Sequence, residues 1–332
     1  MQAMKNQHSD SQTQNLVTSF HMIKAIRRFF DERNFLDVLT PPVVENPGME
    51  PHIHPFSLWS ECQRRNTSLY LHTSPEFCMK ELLSQGLEKI FTISYCFRDE
   101  PVSTTHRPQF IMLEWYRSQQ NYEAIMDDCQ ELINYCGHEL FQKGLIPQFS
   151  QIKLKRITVQ NIFQQVLGID ILEFFDPKKL HDYIVTNHKD IPCQRVFSSD
   201  LFWEDLFFLI FLNKIEPRLE KMGCVLLYEY PAPLSALSTI KQQDPRVCER
   251  FEIYFKGLEI CNCYNELTDW KEQEKRFHLQ KQQKTALYKY DLPWPERFLN
   301  NLKCSYPKSA GIALGVERLL MALTQHENVF WD

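Results

Sequence analysis

The sequence predicts an α+β fold, a mostly antiparallel sheet flanked by helices and carrying a helical insertion. Three observations lead there. Residues 91–100, FTISYCFRDE, alternate with period two, setting Phe91, Ile93, Tyr95 and Phe97 against Thr92, Ser94, Cys96, Arg98 and Glu100. After a loop from Pro101 to Pro108 the alternation resumes with Phe110, Met112, Glu114 and Tyr116 on one face, so a hairpin with one polar face is expected. A second hairpin is expected within 251–264, folded by Lys256-Gly257. Apolar residues at helical spacing supply the flanking layers: Phe20, Ile23, Ile26, Phe29 and Phe30, then Tyr122, Ile125, Met126, Cys129, Leu132, Ile133 and Cys136.

The elements follow in order. Residues 1–14 are rich in Gln, Ser and Asn and read as a disordered tail, ahead of one domain over 15–332. The first helix stops before FLDVLTPPVV, because Pro41-Pro42 ends regular pairing and leaves an edge strand. The stretch from about 120 to 222 is mostly helical with short polar breaks and reads as an insertion. Strands resume at 224–230. Asp269 with Glu272 three residues on has the form of a helix N-terminus, so a helix runs from about Trp270 into the 280s. Gly311 to Gly315 reads as a small-residue strand feeding a helix whose first turn carries Glu317 and Arg318.

Composition narrows the function classes. With 332 residues, 43% hydrophobic and 13% aromatic, the chain can bury a large core. A formal charge of -5 and a pI near 6.1 argue against a protein that lives on nucleic acid, which needs a surplus of Lys and Arg. Eleven cysteines without a CxxC pair, behind a start lacking an apolar leader, point to a reducing, cytoplasmic setting. Cys261-Asn262-Cys263 supplies only half of a zinc site. Leu201 to Asn213 is too short to span a bilayer, and no membrane partner is expected. Nine glycines and no phosphate-loop motif mean that any nucleotide must be held another way.

Arg98 and Glu100 share a strand face, Glu259 lies on a later strand followed by Glu266, and Arg318 stands at a strand-to-helix junction. Two cations and three carboxylates form the mixture a magnesium triphosphate asks for, arginines forking onto phosphate and carboxylates holding the metal. Taken singly, each is more often a solvated rim residue, Glu266 a carboxylate near a helix start, and His106 merely exposed.

The ordered set carries more. FRDE, a loop, HRPQFIMLEWYR, LEICNCYNELTD and GIALGVERL resemble, in sequence and order, the catalytic domain of class II lysyl-tRNA synthetases. FLDVLTPPVV resembles the first motif of that class, Phe97 to Arg117 the second, and Gly311 to Leu320 the third. LHTSPEFCMKELL at 71–83 and YEYPAPLSALS at 228–238 add lysyl-branch matches, so the resemblance runs from residue 16 onward. Those synthetases carry an anticodon-binding domain ahead of the first motif, whereas about fifteen polar residues stand there in this sequence. The closer resemblance is therefore to the elongation factor P (R)-β-lysine ligase family. The long return strand HRPQFIMLEWYR favours it, as does Ala313, where lysyl-tRNA synthetases have glycine and an added methyl changes which amine fits.

The resemblance implies a class II synthetase catalytic fold, ATP with Mg²⁺, and activation of (R)-β-lysine or lysine for transfer to a lysine of elongation factor P, by a homodimer with no tRNA partner. It implies catalytic roles for Arg98 on the α-phosphate, Glu259 on magnesium and ATP, and Arg318 on the γ-phosphate. Asp99, Glu100, His106, Arg107, Phe110, Ile260 and Gly315 complete the implied ATP site, with Phe110 stacking on adenine. Ser74, Pro75, Glu76, Tyr116, Asn262, Glu266 and Ala313 are the implied substrate residues. The sequence departs from the family at Asp99, Arg107, Gln109 and Glu317, and at Cys261 and Cys263, whose thiols are expected to narrow the pocket. Two readings compete: a synthetase-like regulatory paralogue without catalysis, and a truncated lysyl-tRNA synthetase. The retained charges at 98, 100, 259 and 318 count against the first, and the acidic balance with the missing anticodon domain against the second.

Overall fold

The computed structural model describes residues 2–198, 201–326 and 329, with side chains from Thr13 onward. Two compact units are formed, Met1–Ile152 with Glu266–Asp332, and Lys153–Asn265.

In the first unit, helix α1 spans Gln2–Asp31. The segment expected as a disordered tail is thus its opening turns. No Gly or Pro precedes Pro41 to interrupt a helix. The helix ends before Asn34, whose φ of 58° is a conformation asparagine tolerates. Met22, Ile26, Phe29 and Phe30 are fully buried, and Phe30 stacks on Phe91 with centroids 4.7 Å apart. Strand β1 (Leu36–Asp37) pairs parallel with β5. A small sheet is made by β2 (Val43–Val44), β3 (Ser57–Ser60) and β4 (Arg65–Leu71). Helix α2 (Glu76–Ser84) follows, then the predicted hairpin, β5 (Lys89–Phe97) antiparallel to β6 (Gln109–Ser118). Helix α3 (Tyr122–Gln142) lies on α1, with ion pairs of 3.1 Å from Arg28 to Glu139 and from Arg33 to Glu131.

The second unit opens with β7 (Lys155–Thr158) and helices α4 (Val159–Leu167), α5 (Pro177–Asn187), α6 (Trp203–Ile210) and α7 (Glu216–Glu220). Strands β8 (Cys224–Pro231), β9 (Val247–Phe255) and β10 (Leu258–Asn265) complete it. β8, β9 and β10 are antiparallel neighbours, and β7 pairs parallel with β8. Phe163, Phe207 and Phe211 of the helices and Val225 and Leu227 of β8 share one core. The stretch read as one insertion over about 120–222 is therefore divided: α3 belongs with α1, while the helices after 153 pack on strands that follow them in the chain.

The first unit is completed by α8 (Trp270–Tyr288), α9 (Glu296–Cys304), β11 (Ser309–Gly315) and α10 (Val316–Thr324). Asp269 caps α8 as expected, its carboxylate accepting the Lys271 N–H at 2.9 Å. β11 lies antiparallel to β6. The simple division of β5 into core and polar faces needs correction: Tyr95 is 47% exposed, whereas Thr92 and Cys96 of the polar face are buried. All eleven cysteines are free, and among the described residues no helix is long and apolar enough to cross a membrane.

Candidate active site

Register assembles the first half of the site. Cys96, Ser94, Thr92 and Ile90 of β5 stand opposite Phe110, Met112, Glu114 and Tyr116 of β6, so these residues share a face. β11 extends it, setting Gly311 opposite Tyr116, Ala313 opposite Glu114 and Gly315 opposite Met112. Just past β5, the Arg98 backbone N–H donates to Pro108 O at 2.9 Å, and its guanidinium lies 5.1 Å over the Phe110 ring. Asp99 is exposed, and its N–H donates to His54 O at 2.7 Å. Asp99 and Glu100 line an open cleft of about 840 Å³ with His54, Ser57, Asn66 and Tyr70.

Arg318, in the first turn of α10, places Nη2 3.1 Å from His106 Nε2, while Ser103 Oγ lies 2.9 Å from His106 Nδ1. Burial and the Arg318 charge lower the His106 pKa, which suits a neutral ring accepting from the arginine. Arg107 donates within the same loop to the carbonyls of Ser103 and His106. Glu317 accepts the Ile111 N–H with both carboxylate oxygens, at 2.8 and 3.0 Å, and burial pushes its pKa up to about 7. The departure at 317 thus has a structural use, tying α10 to β6.

Beside this lies a buried cluster of opposite charges. Lys80 on α2 is 3% exposed, and its Nζ is 2.6 Å from Glu76 Oε1 and 2.6 Å from Glu266 Oε2. Burial pulls the Lys80 pKa down, but Glu266 and Glu76 outweigh it and hold the ammonium well above its usual value. Burial drives Glu266 up to about 8 although Lys80 opposes the rise. Tyr116 donates its hydroxyl to Glu114 Oε2 at 3.1 Å, and Oε1 of that 1% exposed carboxyl has no hydrogen-bond partner. Burial, followed by Glu76, raises Glu114 well above the carboxylate range. Burial thus holds Glu114 and Glu266 toward their protonated forms, which a further cation nearby would oppose. Ser74 Oγ accepts the Glu76 N–H at 3.4 Å, and the buried Pro75 precedes the helix.

In the second unit, a β-bulge decides which side chains share a face. Glu259 pairs with Tyr254 and Asn262 with Glu252, so the register slips at Ile260. Glu259 and Asn262, three residues apart, therefore lie on one face, while Cys261 and Cys263 pair with Ile253 and Phe251 on the other. Both thiol side chains are buried. The expectation that these cysteines narrow the substrate pocket is corrected accordingly: they face away from Asn262. Arg250 donates to Asn262 Oδ1 at 3.1 Å, to Leu234 O at 2.8 Å and to Glu252, which also accepts the hydroxyl of Tyr254 at 2.7 Å.

The first unit thus brings together Arg98, His106, Phe110 and Arg318, and separately Glu76, Tyr116, Glu266 and Ala313; Glu259, Ile260 and Asn262 belong to the second. Lys80, Glu114, Arg250 and Glu252 were missed. A signal for Glu114 existed, since the alternation that aligned Phe110 with Tyr116 passes through it.

A hairpin with an arginine at its rim, followed by a small-residue strand whose next helix opens on a second arginine, defines a class II synthetase-type catalytic unit. Residues 2–331 match the family of class II tRNA synthetases (D, K and N), and the chain belongs to that family. Among its curated relatives is an elongation factor P (R)-β-lysine ligase from Haemophilus influenzae (strain PittGG), 32% identical over 99% of this chain and 97% of the relative. Ligases of the same name from Avibacterium paragallinarum and Proteus mirabilis (strain HI4320) are 35% and 33% identical, over 95% and 92% of the chain and 93% and 90% of the relatives.

Proposed function

We propose that this protein is an ATP-dependent ligase that activates (R)-β-lysine, or lysine, as an aminoacyl adenylate and transfers it to a lysine ε-amine of elongation factor P. The observation that carries the reading is the amine pocket, where Glu76, Glu114 and Glu266 surround one fixed cation, Lys80, and Glu114 retains an unpartnered buried oxygen. A diamino acid brings two ammonium groups that need counter-charge once out of water. An entering ammonium favours the ionised forms of Glu114 and Glu266, which burial otherwise opposes.

In the first step a substrate carboxylate oxygen attacks the α-phosphorus of ATP, and the bond to the β-phosphate breaks to release pyrophosphate. Arg98 stabilises charge on the α-phosphate, Arg318 holds the γ-phosphate with His106 beside it, and Phe110 offers its ring to adenine when Arg98 swings to phosphate. Asp99, Glu100, Arg107 and Gly315 border the nucleotide. Among the described residues no three His, Cys, Asp or Glu side chains are arranged to hold a metal. Glu259 would hold Mg²⁺ arriving with ATP, an ion that would offset phosphate charge when bound. In the second step the neutral acceptor ε-amine attacks the carbonyl carbon of the mixed anhydride, AMP departs with the electron pair of the broken C–O bond, and the new amide nitrogen gives up one proton to solvent.

The test is ATP–pyrophosphate exchange with a panel of diamino acids, then mass spectrometry of elongation factor P after incubation with enzyme, ATP and each acid. Exchange by the wild-type protein, its loss by at least about 100-fold in Arg318→Ala with folding retained, and a β-lysyl mass increment are expected. Silence of the wild type toward every diamino acid would remove the reading.

A cytoplasmic homodimer without a tRNA partner is part of the same proposal. Phe20 of α1, Leu36 of β1, Leu39 and Val43 remain exposed on the segment resembling the first motif, apolar surface that a partner subunit would cover. Light scattering at micromolar concentration is expected to give twice the 39.6 kDa chain mass; a monomer would contradict it.

A further inference from the structure

Glu50 has no part in the mechanism above, yet the chain goes to some length to place it. Asn46 Oδ1 accepts the Gly48 N–H at 2.9 Å, turning the chain, and Gly48 adopts φ +129°, which an L side chain rarely does. A Cβ at Gly48 would lie 2.5 Å from Glu50 Oε2, so glycine is what lets the carboxylate fold back to accept the Met49 N–H at 3.0 Å. Thr73 anchors the same turn from β4's end, donating to Pro47 O at 2.8 Å.

The other side of Glu50 is clamped by a buried lysine. Lys284 of α8 is 1% exposed and donates to the carbonyls of Glu50, Pro51 and Ile53 at 3.2, 2.9 and 2.8 Å. Its ammonium sits 4.9 Å over the Tyr290 ring. His52 and His54 add hydrogen bonds of 2.9 and 2.6 Å to the hydroxyls of Tyr288 and Tyr290. Segment 50–54 is therefore fastened to α8 at both backbone and side chains.

What the clamp presents is a small cavity of about 20 Å³ lined by Glu50, Ser74 and Glu76, with room for one water-sized group. An ammonium has that size. Burial, followed by the repulsion of Glu76, raises the Glu50 pKa while Arg98 opposes the rise, so Glu50 lies within electrostatic reach of both the amine pocket and the arginine assigned to the α-phosphate. The reacting carboxylate of the substrate must lie beside that phosphate, which brings the nearer amino group toward Glu50 and Glu76. Lys80 already pairs with Glu76 through Oε1.

We propose that Glu50 is a specificity-determining residue that receives the substrate ammonium nearer the reacting carboxylate, and that Lys284 is the positioning residue that holds it there. This rests on the diamino acid ligase reading. Glu50→Gln keeps the shape and the acceptor for Met49 but removes the charge. In ATP–pyrophosphate exchange this variant is expected to raise the KM for (R)-β-lysine by about tenfold or more, as loss of one charge-assisted contact does, with kcat and the KM for ATP within about twofold of wild type. The apparent affinity for 6-aminohexanoic acid, which lacks the nearer amine, is expected not to change. The melting temperature should not fall, because a buried carboxyl is being neutralised. Lys284→Met supplies an independent arm, raising the β-lysine KM while Glu50 remains. An unchanged β-lysine KM in Glu50→Gln, or an equal loss toward 6-aminohexanoic acid, would overturn the assignment. A wild-type protein exchanging with no diamino acid would instead overturn the ligase reading and take the assignment with it.

Discussion

Gly311→Ala is expected to abolish amino acid activation and to lower the melting temperature by several degrees. A Cβ at 311 would stand 2.1 Å from the Tyr116 ring and 2.6 Å from Glu266 Oε1. Neither neighbour can step aside, since Tyr116 is 2% exposed and Glu266 is held by Lys80. Overpacking of this kind costs about 1–3 kcal/mol, and each kcal/mol moves the midpoint of a large domain by about 2–4 °C. The functional loss should exceed the structural one, because both displaced groups are walls of the proposed amine pocket. Exchange by folded Gly311→Ala within about tenfold of wild type would show that Tyr116 and Glu266 are not placed as described.

Lys80→Met is the second large effect, and its signature is a dependence on pH. Removing one partner of a buried ion pair costs about 3–5 kcal/mol when the other must stay charged. Glu266 escapes that cost while protonated. Its folded pKa, about 8, exceeds the ordinary carboxylate value, so the native state binds more protons than the unfolded state and stability falls as pH rises from about 4.5 through 8. Without the pull of Lys80 that pKa moves higher still and the fall becomes deeper. The variant should therefore differ least from wild type in melting temperature near pH 5.5, where loss of the Glu76 pairing remains, and separate from it progressively toward pH 9. A difference independent of pH would mean that Lys80 acts through packing alone.

How much of this was legible in the chain depends on the range of the interactions. The β5–β6 hairpin could be read because the pleat alternates strictly, and that alternation correctly set Arg98's strand against Phe110 and Tyr116. It misjudged Thr92 and Cys96, whose burial depends on what covers the strand rather than on the strand. Glu76 and Lys80, four apart on a helix, look like any surface pair. Only Glu266, far along the chain, makes them a buried triad. Glu50 gave no signal, since its position comes from a glycine turn on one side and a lysine 234 residues away on the other. The division at 153 was hidden because the helices of that unit find their core against strands that come later.

The bulge at Ile260 also changes how variation along β10 should be understood. A strand without it would put Glu259, Cys261 and Cys263 on one side, and any drift at the cysteines would alter substrate choice. Cys261 and Cys263 face away from Asn262 as neighbours on any strand do, and the slip adds Glu259 to the Asn262 face, leaving the buried cysteines to packing. Residues 261 and 263 are thereby released to diverge among small apolar side chains, while 259 and 262 stay bound to chemistry. Deleting residue 260, which has no opposite partner, would make the ladder regular and leave Glu259 and Asn262 on one face and the cysteines on the other.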